Sequence, residues 1–144
     1  MSRLVIAAVI VLISFGAAEL LRRRRPDAPT QGSIVPLPQQ LDRIDFDHSD
    51  LVWLAVVFSS ATCEACEEAL VKARTLVGPD LGLQEISWQS DPVLHERYNI
   101  DTVPATIIAG PDGAVEAAFL GNPPTTELWA AMEAARSRLA DYEG

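Results

Sequence analysis

Cysteine is scarce in this 144-residue chain, which has only Cys63 and Cys66. A single pair excludes a small scaffold held by a framework of disulfides, and it supplies half of the four ligands that a zinc ribbon needs. Histidine is as rare, with His48 and His95 alone, so a histidine-built metal centre has little to draw on. Basic charge is the third shortage. Beyond Arg25 there are 6 basic residues against 19 acidic ones, a net of −13. Binding to phosphates needs a basic face that releases counterions, so nucleic acid is excluded as a partner. Internal repeats and low-complexity tracts are missing too. What the chain does have is 49% hydrophobic and 22% charged residues, the balance of one ordinary globular domain.

The longest apolar stretch, Leu4 to Leu21, is interrupted only by Ser14 and Glu19. As a helix it would span roughly 27 Å, close to the ~30 Å hydrocarbon core of a bilayer. Residues 1–25 therefore read as an N-terminal transmembrane anchor with a basic flank. A cleavable signal peptide competes, because Arg3 precedes the stretch and Gly16-Ala17-Ala18 offers small residues for cleavage. Arg22 to Arg25 argue against it, since all four would have to be translocated directly behind the junction. Those arginines also favour a single-pass topology with the C-terminal domain on the cytoplasmic side. Residues 26–40 hold Pro26, Pro29, Pro36 and Pro38 among Thr, Gln, Gly and Ser, the composition of an extended linker.

Residues 41–144 alternate in type. Leu51 to Phe58 is an unbroken apolar run of eight, the pattern of a strand covered on both faces. Cys63 to Val77 places Cys66, Leu70, Val71, Ala73 and Val77 at near-helical spacing behind Thr62 as N-cap. Leu83 to Trp88 reads as a second strand, and Pro92 to Tyr98 as a brief helix capped by Asp91. Thr106 to Ala109 and Val115 to Leu120 flank Pro111-Asp112-Gly113, a turn signature that makes them a hairpin. Thr125 or Thr126 then caps a final helix from Glu127 to about Leu139, with Leu128, Met132, Ala135 and Leu139 on one stripe.

Within this order, Cys63-Glu64-Ala65-Cys66 falls where a buried strand ends and a helix begins. The spacing lets two thiols close a small disulfide ring, and unpaired N–H groups at the helix start favour a thiolate on Cys63. A thiolate is the nucleophile of disulfide exchange, so Cys63 is the attacking residue and the more buried Cys66 the resolving one. His48 and His95 have polar neighbours and read as solvated surface residues, and Trp53, Trp88 and Trp129 as core or rim packing. Zinc would need two further ligands, from a dimer of two such pairs.

Val56 to Cys66, then Tyr98 to Thr106, then Gly113 and Gly121, resemble the thioredoxin family over roughly Leu41 to the C-terminus. The resemblance implies an α/β, thioredoxin-like fold, a central mixed sheet of four or five strands with flanking helices. It implies a membrane-anchored, bacterial-type thiol-disulfide oxidoreductase acting on protein disulfides or dithiols, with no bound cofactor. By the same resemblance Pro104 is a cis proline packed against the active-site disulfide, and Val103 aligns the substrate backbone as an added strand. Cis X-Pro bonds are a minority, so that expectation rests on the resemblance alone. Electrons would pass to or from a recycling reductase or a membrane thiol transporter.

The departures are specific. Thr62 replaces the family's usual tryptophan before the first cysteine, and Glu64-Ala65 replaces Gly-Pro. The buried carboxylate that many thioredoxins carry on the central strand falls at Val57, leaving no evident general base behind Cys66. Glu64, Glu67 and Glu68 oppose the thiolate that the helix end favours, so a less acidic nucleophile is expected. The alternative is a redox-inert thioredoxin-fold binding module with a structural disulfide, docking a basic partner on its acidic surface.

Overall fold

The computed structural model describes residues 36–143. The anchor expected at residues 4–21, its basic flank and the linker up to residue 35 lie outside the described residues. Among the described residues no helix is long and apolar enough to cross a membrane. Ordered contacts start ahead of Leu41. Leu37 packs on the core, Gln39 accepts from Val115 N at 3.0 Å, and Gln40 bridges Ala114.

Four strands form one mixed sheet: β1 (Trp53–Ser59), β2 (Leu81–Ser87), β3 (Ala105–Ala109) and β4 (Val115–Leu120), in the order β2-β1-β3-β4. β1 runs parallel to β2 and antiparallel to β3, and β3 and β4 are the antiparallel hairpin expected around Pro111-Asp112-Gly113. A parallel neighbour requires a crossover, which α1 (Glu64–Arg74) provides between β1 and β2. α2 (Pro92–Arg97) links β2 to β3, and α3 (Thr125–Glu143) closes the chain. The strand expected from Leu51 begins at Trp53, because Leu51 and Val52 still belong to the preceding loop.

All seven residues of β1 are buried, which is why its sequence does not alternate. Leu54, Val56 and Phe58 face one cluster with Leu94, Tyr98, Ile100 and Ile107. Trp53 and Ala55 face the other side with Leu128, Met132 and Ala135 of α3, while Val57 meets Leu70 and Ala73 of α1. Each such fully buried apolar side chain contributes roughly 1.5–3 kcal/mol. Removing polarity from both faces thus places β1 in the middle, and everything that follows β1 is built on its end.

The 3-10 turn Arg43–Asp45 holds the start of the domain, with Asp42 as its cap. Arg43 is buried and donates to four carbonyls, Val52 O, Gly110 O, His48 O and Leu51 O, at 2.6–3.2 Å. Burial lowers its pKa from the ordinary arginine value, opposed by Asp112 and Asp50. Tyr98 accepts from Asp42 N and donates to Asp45. Gly113, with φ 81°, lies so close to the Leu41 carbonyl that any Cβ there would collide with it. Only glycine serves that turn.

Candidate active site

The end of β1 leads through Ser60, Ala61 and Thr62 into α1. Cys63, not Thr62, is the N-cap: its backbone is still extended at φ −106° and ψ 102°, and the Thr62 hydroxyl is engaged 3.3 Å from that of Ser60. No side chain caps this helix. The first-turn N–H groups beside Cys63 therefore have no side-chain acceptor, which leaves them available to an anionic sulfur. Cys63 and Cys66 are joined in a disulfide with Cα atoms 5.3 Å apart. Cys66 is only 3% exposed, whereas Cys63 is half-buried. An incoming thiolate can reach the Cys63 sulfur far more readily.

Antiparallel pairing brings a second piece of chain to the same place. Phe58 of β1 lies opposite Ala105 of β3, so Val103 and Pro104, which precede Ala105, sit at the cysteine end of the sheet. The Val103–Pro104 peptide is cis, Pro104 is buried and Val103 half-buried. Pro104 O accepts from Gly121 N at 2.8 Å, which carries the half-exposed Leu120 to the same end.

Several residues at this end were not visible as functional in the sequence. Gln89, just past β2, clasps the loop before Cys63. Its Oε1 accepts from Ala61 N at 2.9 Å and from the Ser87 hydroxyl at 3.0 Å, and its Nε2 donates to the Ser60 hydroxyl at 3.1 Å. The second is a carboxylate. Val57 is apolar as read, yet Glu85 lies directly across from it on β2, and the buried Ser59 hydroxyl donates to Glu85 Oε1 at 2.6 Å. Ser59 shares a sheet face with Val57, on the side covered by α1, one step nearer to the start of α1 where Cys66 lies. Dispersed single glutamines and glutamates carry no motif; only the β1/β2 register brings these two into play.

His95 corrects an expectation. Its polar neighbours suggested a solvated residue, but it is 1% exposed, packed edge-on against Phe58 and Trp88 with centroids 5.1 and 5.2 Å away. The short helix α2 turns His95 inward together with Leu94, while Glu96 and Arg97 stay outside. His48 is exposed as expected. Trp53 is core, and Trp88 and Trp129 are rim residues, 44% and 41% exposed. On α1, Lys72 donates to Asn122 at 2.8 Å and pairs with Glu68 at 3.0 Å, a hydrogen bond that holds the Glu68 carboxyl below the usual carboxylate range. Among the described residues no group of three or more His, Cys, Asp or Glu is placed to hold a metal ion.

Two adjoining grooves open at this end of the sheet; neither is lined by a cysteine, but the first reaches Ser60, whose carbonyl accepts from Cys63 N at 3.1 Å. One, of about 350 Å³, is lined by Ser60, Trp88, His95, Ile100, Asp101 and Val103. The next, of about 450 Å³, shares four of these and adds Glu96 and Asn99. A larger cavity of about 520 Å³ lies at the opposite end of the sheet, against Trp53, Pro111 and Arg138.

No protein-family model matches the chain, and no curated protein matches it in sequence. Solved structures do. A mutant thioredoxin from Halobacterium salinarum NRC-1 superposes with a TM-score of 0.54 at 21% identity, covering 60% of this chain and 76% of its own. Thioredoxin-2, a component of malaria parasite protein secretion machinery, gives 0.53 at 15% identity, over 57% and 82%. Oxidised mitochondrial thioredoxin 3 from Saccharomyces cerevisiae gives 0.50 at 17%, over 59% and 81%. The fold is thioredoxin-like. The expected mixed sheet with flanking helices is thereby shown for the described residues, with four strands. In this thioredoxin-like domain the cysteine pair, the Val103–Pro104 peptide and the grooves converge on one end of the sheet.

Proposed function

We propose that the chain is a protein thiol-disulfide oxidoreductase, anchored by residues 4–21 in a cell membrane as a single-pass protein. The observation that carries the activity is the accessible Cys63, disulfide-bonded to a buried Cys66 at an uncapped helix start. In the reducing direction the Cys63 thiolate attacks one sulfur of a substrate disulfide, and the other substrate sulfur leaves as a thiolate. Cys66 then loses its proton and attacks Cys63 Sγ. The second substrate thiolate is released, and the Cys63–Cys66 disulfide holds the two electron equivalents' worth of oxidation that the substrate has lost. A partner dithiol, a reductase or a membrane thiol transporter, restores the pair by the same exchange. Run backwards, the sequence oxidises a substrate dithiol.

The other residues have supporting roles in this reading. Val103 offers its backbone to an extended substrate as an added strand, and Pro104 shapes the cleft beneath it. Glu85, acting through the Ser59 hydroxyl, receives the proton of Cys66, the task for which Val57 is unsuited. The four arginines behind the anchor favour the cytoplasmic side for the domain, and tethering raises its local concentration near membrane-bound partners.

The experiment is capture. With Cys66→Ser the mixed disulfide on Cys63 has no resolving thiol, so substrate proteins accumulate as adducts that reductant releases. Cys63→Ser should capture none. Failure of reduced Cys66→Ser to form adducts with any protein disulfide would replace the enzyme by a redox-inert binding module.

A further inference from the structure

Resting on that reading, we infer that the two grooves beside Cys63 select substrates whose disulfide cysteine is flanked by a lysine or arginine. The grooves combine an aromatic wall with hydrogen-bond acceptors and no cation. Trp88, 44% exposed, stands edge-on to His95 and leaves a ring surface open to the groove that Val103 borders. On its floor, His95 Nε2 lies 2.9 Å from Ile86 O. A carbonyl only accepts, so in the neutral ring Nε2 carries the hydrogen and Nδ1 keeps its lone pair. Nδ1 is buried and has no partner. The floor of the groove thus carries a lone pair beneath its surface and no free donor, which favours a cation over an anion above it.

Charge points the same way. Asp101 on the first groove and Glu96 on the second are exposed carboxylates, and Glu64 and Glu67 stand exposed on the first turn of α1. None of the six basic residues beyond Arg25 lines either groove. Five of them are engaged elsewhere: Arg43 on carbonyls, Lys72 on Glu68, Arg97 on Asp45, Arg136 on Asp80 and Arg138 on Glu116. A long basic side chain fits this surface in both its parts. The alkyl stem covers Trp88 and Val103, and the cationic head meets the Trp88 ring and the Asp101 carboxylate. A glutamate in the same position would meet only repulsion, and an alanine would leave the aromatic wall wet.

The test uses the full-length chain and two disulfide-bonded peptides that differ only in arginine or glutamate beside the cysteine. A small neutral disulfide serves as reference. The arginine peptide should be turned over about ten- to a hundredfold faster in kcat/KM at low salt, with the ratio shrinking as salt rises. Trp88→Ala and Asp101→Asn should each bring the arginine-to-glutamate ratio, taken within the same variant, closer to one. Calorimetric titration of Cys63→Ser with cysteine-free versions of the peptides reads the same preference without any exchange. Equal turnover and equal binding of the two peptides would overturn the inference and leave the oxidoreductase standing. Preferred binding of the arginine peptide without turnover of any disulfide would uphold the inference and sink the oxidoreductase.

Discussion

The two ends of the central sheet are held in opposite ways. At the start of β1 a buried guanidinium, Arg43, ties together four carbonyls from two segments, the loop before β1 and the hairpin turn, and Tyr98 bridges Asp42 and Asp45 beside it. At the finish of β1 the loop before Cys63 hangs on neutral side chains, Gln89, Ser60 and Ser87, all at least partly open to solvent. Bonds to a charged donor in a buried site are the stronger kind, and losing the donor strands its acceptors; neutral exposed bonds exchange cheaply with water. The domain is therefore locked where nothing reacts and loosely clasped where a substrate strand must arrive and leave.

Removing the lock is the sharpest way to break this comparison. Arg43→Ala leaves four carbonyls without their donor and should lower the unfolding free energy by about 3 kcal/mol, read by denaturant titration of the oxidised protein. The rate at which a small dithiol reduces Cys63–Cys66 in the folded fraction should stay as it was. A matching change in that rate would mean that the two ends are not independent.

Next in size is a pH effect at the locked end. Burial, followed by the hydrogen bond to Asp45, pushes Tyr98 from 10.0 up to about 12. The folded state thus prefers the protonated phenol. Its contribution is fully present below pH 10 and disappears as the pH climbs from 10 towards 12, a loss on the order of 2 kcal/mol. Tyr98→Phe should flatten the fall in stability over that window, measured by unfolding at a series of alkaline pH values; an unchanged slope would remove Tyr98 from the account.

The smallest effect belongs to the open end. Glu85→Gln keeps an acceptor for the Ser59 hydroxyl, so stability should change by less than about 0.5 kcal/mol. Resolution of the mixed disulfide by Cys66 should nevertheless slow about tenfold near neutral pH, because an amide cannot take the proton. Stopped-flow exchange with a small disulfide reads that step, and a rate equal to that of the native chain would leave Cys66 to lose its proton directly to water.

How much of this was legible beforehand differs residue by residue. The eight-residue apolar run at 51–58 and the Asp91-Pro92 cap announced their elements, since each signal is local. The placing of Cys63 and Cys66 at a strand-to-helix junction was legible for the same reason, apart from the one-residue shift of the cap from Thr62 to Cys63. His95 was misread because neighbours in sequence say little about a six-residue helix, whose inward positions, Leu94 and His95, are chosen by what they pack on. Arg43 carried no signal at all: buried arginines are rare, and its ligands are carbonyls, which every residue has.

The sequence by itself determined the sheet's middle strand, the existence of the helices to within one or two residues at their starts, the turn at Gly113 and the spacing of the two cysteines, because these follow from hydrophobic pattern and backbone preference within a few residues. Only the tertiary structure decided which groups surround the cysteines. Glu85 reaches Ser59 from 26 positions away and Gln89 reaches Ala61 from 28, through the parallel register of β1 and β2. That register is set by how two buried faces pack at once. No local pattern encodes it, so the chemistry at the end of β1 emerges only when the sheet has formed.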